Sequence, residues 1–175
     1  DTLTRLEENL KALEAASSSY AASHLVQSRA HGLLDAFLAS RDNVLGALYE
    51  DIAGRFTQLY RDLHGADEEK FNATIRPEGP ALKFEVDFYG RGIYPPHALH
   101  SEGHQDSMGV CLYLALAERL TQGCIDVTIL DDVVMSVDAN HRRQICSLLA
   151  NNFPKRQFLI TTHDKTWAHQ LRREG

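Results

Sequence analysis

The first 64 residues follow a helical pattern of apolar positions and contain no proline. Leucines recur at steps of three and four residues, the spacing of a coiled-coil seam, at Leu3, Leu6, Leu10 and Leu13. The seam fades across residues 15–20 and returns between Leu34 and Leu63. Two interpretations stay open. The stretch is either a helical arm that leads into a globular head, or two or three amphipathic helices jointed at Gly32, Gly46 or Gly54.

After Gly65 the apolar pattern changes from a helical period to period two. Residues 71–75 predict a strand, and residues 77–80 predict a turn. Leu82, Phe84, Val86 and Phe88 then alternate with charged residues, as in a half-buried antiparallel strand. Residues 90–96, with two glycines and two prolines, predict an irregular loop.

The second half of the chain predicts a strand–helix–strand unit. A helix is expected to follow Ser101, and its apolar run from Val110 to Leu120 predicts deep burial. Val127 to Leu130 is too short for a helix and predicts a buried central strand of a parallel sheet. The elements expected after it are a helix, a buried strand and a further helix, at residues 139–151, 157–162 and 165–174.

These elements predict an α/β fold, in which helices flank a mixed sheet and residues 1–64 form a helical arm before a lobe at 65–175. The chain of 175 residues is 43% hydrophobic and 24% charged, which is typical of a soluble globular protein. Its net charge of −6 argues against a wholly basic protein that coats nucleic acid. No apolar run is long enough to cross a membrane, and no signal peptide opens the chain.

Three cysteines, Cys111, Cys124 and Cys146, lie in apolar surroundings and lack C-x-x-C spacing. We interpret them as reduced thiols in the core, which predicts a cytoplasmic protein.

Two adjacent carboxylates, Asp131 and Asp132, follow the first predicted parallel strand. Ligands of open α/β sheets bind beyond the carboxyl ends of the strands. The pair is either two solvated acids that open a turn, or a Walker B-type element. In the second case one carboxylate supports Mg²⁺ and the other orients an attacking water. His163 and Asp164 stand in the same place after the second strand.

The helix start near Ser101 is the second candidate site. Ser101 stands where a residue caps the first turn, and Gly103 allows a ligand to approach the backbone. Exposed N–H groups at a helix start suit an anion. A capped core helix without a ligand is the alternative. A zinc site at His97, His100 and His104 is less favoured, because this spacing is not that of a zinc finger and no cysteine lies beside it.

Three stretches in this order, Ser101–Gln105, Leu130–Asp138 and Ile160–Asp164, resemble the C-terminal half of an ABC-type ATPase head of the SMC and RecN class. The resemblance covers about residues 45–170, and it includes the coiled-coil ATPases of double-strand-break repair. It implies a P-loop NTPase fold, with ATP and Mg²⁺ as cofactors.

The resemblance also implies a role for each motif residue. Residues Ser101, Glu102, Gly103, His104 and Gln105 correspond to the signature motif, which caps the γ-phosphate of ATP held by an opposing head. Asp131 corresponds to the aspartate that supports Mg²⁺ through water, and Asp132 to the glutamate that orients the hydrolytic water. Asp138 corresponds to the D-loop aspartate at the seam between heads, and His163 to the switch histidine that contacts the γ-phosphate.

The sequence also departs from the pattern of that class. Glu102 replaces a glycine, while His104 and Gln105 replace the usual acidic or amide residue and its neighbour. Asp132 is one methylene shorter than glutamate, which predicts slow hydrolysis. No Gly-x-x-x-x-Gly-Lys-Ser/Thr phosphate loop occurs. We therefore expect half a head, cut from a larger protein or paired with a separately made N-terminal half.

The expected function is ATP hydrolysis at a composite site between two heads. It would drive a DNA-associated conformational change in repair, chromosome maintenance or phage defence. The expected partners are the N-terminal half, a second head and DNA, with no membrane. The alternative is a non-catalytic coiled-coil interaction module with a degenerate nucleotide site.

Overall fold

The computed structural model describes residues 2–78, 81–87, 90, 92–121, 127–134 and 136–174. The helices are α1 (Thr2–His64), α2 (Pro96–Leu99), α3 (Glu102–Leu120), α4 (Ala139–Asn152) and α5 (Lys165–Glu174), and a 3-10 turn covers Gly65–Glu68. The strands are β1 (Ala73–Glu78), β2 (Ala81–Asp87), β3 (Ile93–Tyr94), β4 (Val127–Asp131) and β5 (Gln157–Thr161). The chain forms two compact units, Asp1–Leu45 and Gly46–Gly175.

The N-terminal region forms the single long helix α1, so the interpretation as several short helices of a bundle is wrong. Gly32, Gly46 and Gly54 all lie inside the helix. In the first unit the seam leucines are exposed, with Leu3 at 77% and Leu10 at 51% of their maximum accessible surface. None of the described helices combines the length and the apolar character that a membrane crossing requires.

The core of the second unit is built around the last turns of α1. Ile52, Phe56, Leu59 and Leu63 are buried there, as the helical period predicts. The Phe56 ring lies 5.6 Å from the Phe71 ring and 5.4 Å from the Phe84 ring, both with edge-on geometry. Such aromatic pairs add to the stabilisation that burial gives. Phe56 therefore joins α1 to the antiparallel sheet.

The described strands form two separate sheets, where the sequence predicted one mixed sheet, because no described strand pairs with both sets. The antiparallel sheet has the strand order β1-β2-β3. The predicted turn at residues 77–80 is wrong at its first two positions, because β1 continues through Pro77 to Glu78. β1 is an edge strand, where a proline removes no ladder hydrogen bond that the sheet needs. Along β2, Val86 is fully buried, but Leu82 is 54% exposed, so the predicted burial of this face fails there. Phe88 lies outside the described residues.

The stretch predicted as an irregular loop contains regular structure. Ile93 and Tyr94 pair with Asp87 and Val86 as the short strand β3. Pro96 then starts α2, because proline already has the backbone angle that the first helical position needs.

The predicted strand–helix–strand unit is confirmed. β4 and β5 pair in parallel, with Ile129 opposite Leu159 and Asp131 opposite Thr161, and α4 connects them. The prediction that both faces of β4 are buried is wrong in this chain. Thr128 and Leu130 are buried, whereas Val127 and Ile129 are 43% and 56% exposed. The reason is that the helices of this chain cover one face of the two-stranded sheet.

Helix α3 is also buried on one face, rather than along its whole length as predicted. Leu114 and Ala115 are buried, but Tyr113 and Leu120 are exposed. Cys111 is a buried thiol, and burial raises its pKa. Cys146 is buried as well, and Cys124 lies outside the described residues.

We predict that Phe56→Ala lowers the free energy of unfolding by about 3–5 kcal/mol, because it leaves a cavity beside the Phe71 and Phe84 rings. Phe37→Ala is the matched control, since Phe37 is 64% exposed and its loss should change stability by less than about 1 kcal/mol. Urea unfolding of both variants measures the difference. Equal effects would contradict the assignment of Phe56 to the core.

Candidate functional site

The two carboxylates at the end of β4 are held by the neighbouring strand. The Thr161 hydroxyl donates a hydrogen bond to Asp131 Oδ1, and the Asp132 backbone N–H donates to the Thr161 carbonyl oxygen at 3.1 Å. Asp132 has a φ of 50°, in the left-handed region that a short polar side chain tolerates. Strained backbone of this kind is common at functional sites. Both carboxylates therefore emerge beyond the carboxyl end of the parallel pair.

His163 lies against Asp132. Its backbone N–H donates to Asp132 Oδ1 at 3.4 Å, and its ring Nε2 lies 3.4 Å from Asp132 Oδ2. The His163 side chain is 91% exposed, so its ring can meet a ligand from solvent. The structure thus brings together three sequence-predicted residues, Asp131, Asp132 and His163. We call them the acid group.

The acid group offers oxygen donors that fit Mg²⁺. Mg²⁺ prefers one or two carboxylates, completed by water and substrate phosphates. Asp131 supplies an exposed carboxylate, and the Thr161 hydroxyl fixes its orientation. A nucleotide phosphate would have to complete the coordination.

The N-terminus of α3 is capped as the sequence predicts. Ser101 Oγ accepts a hydrogen bond from the His104 backbone N–H at 3.4 Å and lies 2.8 Å from His104 Nδ1. The Gln105 side-chain amide donates to the His100 carbonyl oxygen at 2.8 Å. Gln105 therefore braces the turn before the helix.

Asp138 caps the next helix in the same way. Its Oδ1 accepts from the backbone N–H groups of Asn140 and His141 at 2.8 and 3.1 Å, and its Oδ2 contacts His141 Nδ1. These hydrogen bonds, above all that from the His141 ring, lower the pKa of Asp138 to about 2. The carboxylate is consequently ionised throughout the neutral range.

Gly103 allows α3 to pack directly on the loop that precedes Asp138. A Cβ atom at this position would lie 2.9 Å from the Ser136 carbonyl oxygen, too close for any side chain. The Ser136 N–H also donates to Asp106 Oδ2 at 3.2 Å. A pocket of about 380 Å³ lies at this contact, and its walls include Ser101, Glu102, Gly103, His104 and Asp138. We call these five residues the cap group.

His104 of the cap group belongs to a cluster of histidines whose other members, His64 and His141, the sequence motifs did not indicate. The ring of His64 stacks on that of His104 at 5.0 Å and lies 4.6 Å from that of His141. Burial, followed by the charges of His141 and His104, lowers the pKa of His64 to about 3. Within the described ranges, no group of three or more His, Cys, Asp or Glu side chains is arranged to hold a metal ion.

Different signals were available for these histidines. His141 follows the capping Asp138 by three residues, which is the spacing of a capping pair. His64 reaches the site only through the fold, and nothing in its local sequence indicates this.

Arg142, which the sequence motifs did not indicate, joins the residue after His163 to the residue before Asp138. Its guanidinium pairs with Asp164 and donates to the Val137 carbonyl oxygen at 2.7 Å. Asp164 in turn caps α5 by accepting from the backbone N–H groups of Thr166 and Trp167. The bond from Trp167 is the main cause that lowers the pKa of Asp164.

A larger cavity, of about 740 Å³, lies elsewhere. It is bounded by β5, α4 and α5, and its walls include Leu149, Phe153 and Leu171. It contains none of the sequence-predicted site residues.

Comparisons with known proteins identify the fold. A structure described as "Structural biochemistry of ATP-driven dimerization and DNA stimulated activation of SMC ATPases" superposes with a TM-score of 0.59 at 16% identity, over 77% of this chain and 78% of that one. The chain has the fold of an SMC head domain. The resemblance that the three motifs carried is thereby confirmed at the level of the fold.

Two further SMC heads agree. The head from Pyrococcus furiosus, solved with the C-terminal domain of ScpA, matches at 16% identity and a TM-score of 0.57. The head from Pyrococcus yayanosii matches at 17% identity and a TM-score of 0.59. This chain spans 33% and 26% of their lengths, while 78% and 79% of it are covered. No protein-family model and no curated protein matches the sequence.

We predict that Gly103→Ala destabilises the protein by about 1–3 kcal/mol, because the new methyl group must displace the Ser136 carbonyl. Gly109→Ala, in the same helix, is the control. A Cβ atom there meets nothing within 4 Å, so alanine should stabilise the helix by about 0.5–1 kcal/mol. Thermal unfolding of both variants measures the contrast. Stabilisation by both would show that α3 does not pack closely on the Ser136 loop.

Proposed function

We propose that this chain is the C-terminal lobe of an SMC-like ATPase head, which binds ATP and Mg²⁺ and hydrolyses ATP between two engaged heads. The observation that supports this best is the sorting of the motif residues into an acid group and a cap group. Asp132 of the acid group and Asp138 of the cap group lie six residues apart in the chain. In such a lobe the acid group acts on the nucleotide of its own head, and the cap group contacts the nucleotide of the opposing head.

In this proposal the acid group performs the chemistry. Asp131 would help to hold Mg²⁺, and the ion would supply charge neutralisation for phosphoryl transfer. Asp132 orients the attacking water, and His163 contacts the γ-phosphate. The contact between His163 and Asp132 supports this assignment, since it keeps both side chains at the same end of the sheet.

The cap group contacts the nucleotide of the opposing head. Ser101 is exposed at the start of a 19-residue helix, whose first N–H groups and dipole favour an anion. Gly103 lets the loop before Asp138 pack against this helix start, which keeps Asp138 beside Ser101 at the same pocket. Asp138 lies at the same pocket and would face the seam between the two heads.

The exposed sheet face supports the proposal that a second half completes the head. Ile129 and Leu159 are paired neighbours, and they are 56% and 58% exposed. Paired apolar side chains on an uncovered sheet call for a partner that buries them. An N-terminal half with a phosphate loop, on the same polypeptide or another, is the partner we propose.

A second head and DNA are further proposed partners. The first compared structure is described in terms of ATP-driven dimerisation and DNA-stimulated activation of SMC ATPases. The seam leucines on α1 fit a coiled-coil arm that would transmit the change of state to DNA in repair, chromosome maintenance or phage defence. The buried cysteines support a cytoplasmic location for this machine.

A non-catalytic interaction module is the second candidate. Two observations favour it: the short Asp132 in the position of the usual glutamate, and the exposed Leu3–Leu13 seam, which is available for assembly. Such a module would use α1 for association and would bind nucleotide weakly.

We predict that Ser101→Arg in the complete head leaves the fold and ATP binding intact but abolishes ATP-dependent dimerisation. A bulky side chain would occupy the seam where the partner's nucleotide must enter. Chromatography with a non-hydrolysable ATP analogue measures dimerisation. Asn151→Arg is the control, because it adds the same charge at an exposed site at the opposite end of α4 from Asp138. If Ser101→Arg dimerises as the parent does, the seam role of Ser101 is wrong and a capped core helix remains.

A further inference from the structure

A chain of polar contacts runs from the exposed Ser101 hydroxyl to a buried carboxylate. Ser101 Oγ lies 2.8 Å from His104 Nδ1, and His104 Nε2 lies 4.0 Å from Glu68 Oε1. Glu68, in the 3-10 turn after α1, is only 1% exposed. The His104 ring is therefore placed between the residue proposed to meet a phosphate and a fixed acidic group.

The protonation of this ring determines what Ser101 can offer a ligand. A hydroxyl has one hydrogen and two lone pairs. If His104 Nδ1 is bare, it accepts the Ser101 hydrogen, and only lone pairs of Ser101 face the seam. If Nδ1 carries a hydrogen, Ser101 accepts that bond and also the bond from the His104 backbone N–H. The Ser101 hydroxyl hydrogen is then available to a phosphate oxygen.

We propose that His104 is a positioning residue which turns the Ser101 hydroxyl toward the partner's phosphate when its ring is doubly protonated, and that Glu68 favours this form. The proposal rests on the proposed function, because it concerns the same signature residue. Glu68 supports it because a carboxylate 4.0 Å from Nε2 favours a hydrogen on Nε2 and stabilises the positive ring, in which Nδ1 also carries a hydrogen for Ser101.

The charged and titratable groups around His104 come from every element packed against it. They are Glu68 in the 3-10 turn, His64 at the end of α1, His100 before α3, Glu102 on α3, and Asp138 and His141 at α4. His64 stays neutral near pH 7, because burial keeps its pKa at about 3. His141 is held against the ionised Asp138. Glu68 is thus the acidic group that faces the Nε2 side of His104.

The proposal predicts that the complete head dimerises more tightly on an ATP analogue as the pH falls from 8 to 6, the interval in which histidines gain charge. We expect the affinity to rise about tenfold, the value of one hydrogen bond that a charged group supports. Analytical ultracentrifugation with a non-hydrolysable analogue at each pH measures it. A flat profile in the parent protein would overturn the proposal.

Variants of His104 separate positioning from packing. In His104→Asn a side-chain amide can donate to Ser101 without titrating, so dimerisation should be intermediate in strength and should change less with pH than in the parent. In His104→Leu the donor is absent, and dimerisation should be about tenfold weaker than in the parent at pH 6. Glu68→Gln should move the profile to lower pH. If the Glu68 variant does not fold, the two His104 variants still show whether His104 positions the Ser101 hydroxyl. A parental profile in His104→Asn would contradict the proposal.

Ser101→Ala tests whether His104 acts through Ser101. In that background, His104→Asn and His104→Leu should cause no further change, because the hydroxyl they position is absent. An undiminished effect of His104→Leu would contradict positioning. If Ser101→Ala and Ser101→Arg both dimerise as the parent does, the proposed function fails instead. If Ser101→Ala weakens dimerisation while both His104 variants keep the parental profile, only this inference fails.

Discussion

The parallel pairing of β4 with β5 is the interaction on which the candidate site depends. It pairs Asp131 with Thr161 and brings the Asp132 N–H to the Thr161 carbonyl oxygen. His163, two residues after Thr161, then contacts Asp132. The loop that leaves Asp132 must then pass the start of α3, where only glycine at position 103 leaves room for Ser136. These backbone contacts therefore help to position the acid group and the cap group, whose side chains supply the functional groups.

Two carboxylates that cap helices stabilise the segments next to the acid group and the cap group. Asp138 caps α4 and Asp164 caps α5, and Arg142 joins Asp164 to the Val137 carbonyl. The hydrogen bonds lower the pKa of both carboxyl groups. A group with a lowered pKa stabilises the fold at pH values above its unfolded-state pKa of about 4. For Asp138 that contribution is present at neutral pH and is lost as the pH falls toward about 2.

Local signals in the sequence predicted the elements well. The period of the apolar residues indicated α1 and β2, and the capping residue Ser101 marked the start of α3. Burial was harder to predict, because Val127 and Ile129 have the composition of a doubly covered strand while this chain covers only one face. The short strand β3 depends on pairing with β2, and the contact of Glu68 with His104 joins positions far apart in the chain. Neither leaves a pattern in the nearby residues.

The proposed function requires the acid group to support ATP hydrolysis once the head is complete. The direct measurement is steady-state ATP turnover by this chain alone and by the complete head with its phosphate loop, each as the parent and as Asp132→Asn. We predict no turnover by the chain alone and a fall of about 10²-fold or more in the complete Asp132→Asn head, with ATP binding retained. Asp35→Asn, an exposed change on α1, should leave turnover unchanged. Unchanged turnover in the Asp132 variant would contradict the role proposed for the acid group. Hydrolysis by the chain alone that Asp131→Ala abolishes would contradict the need for a complete head.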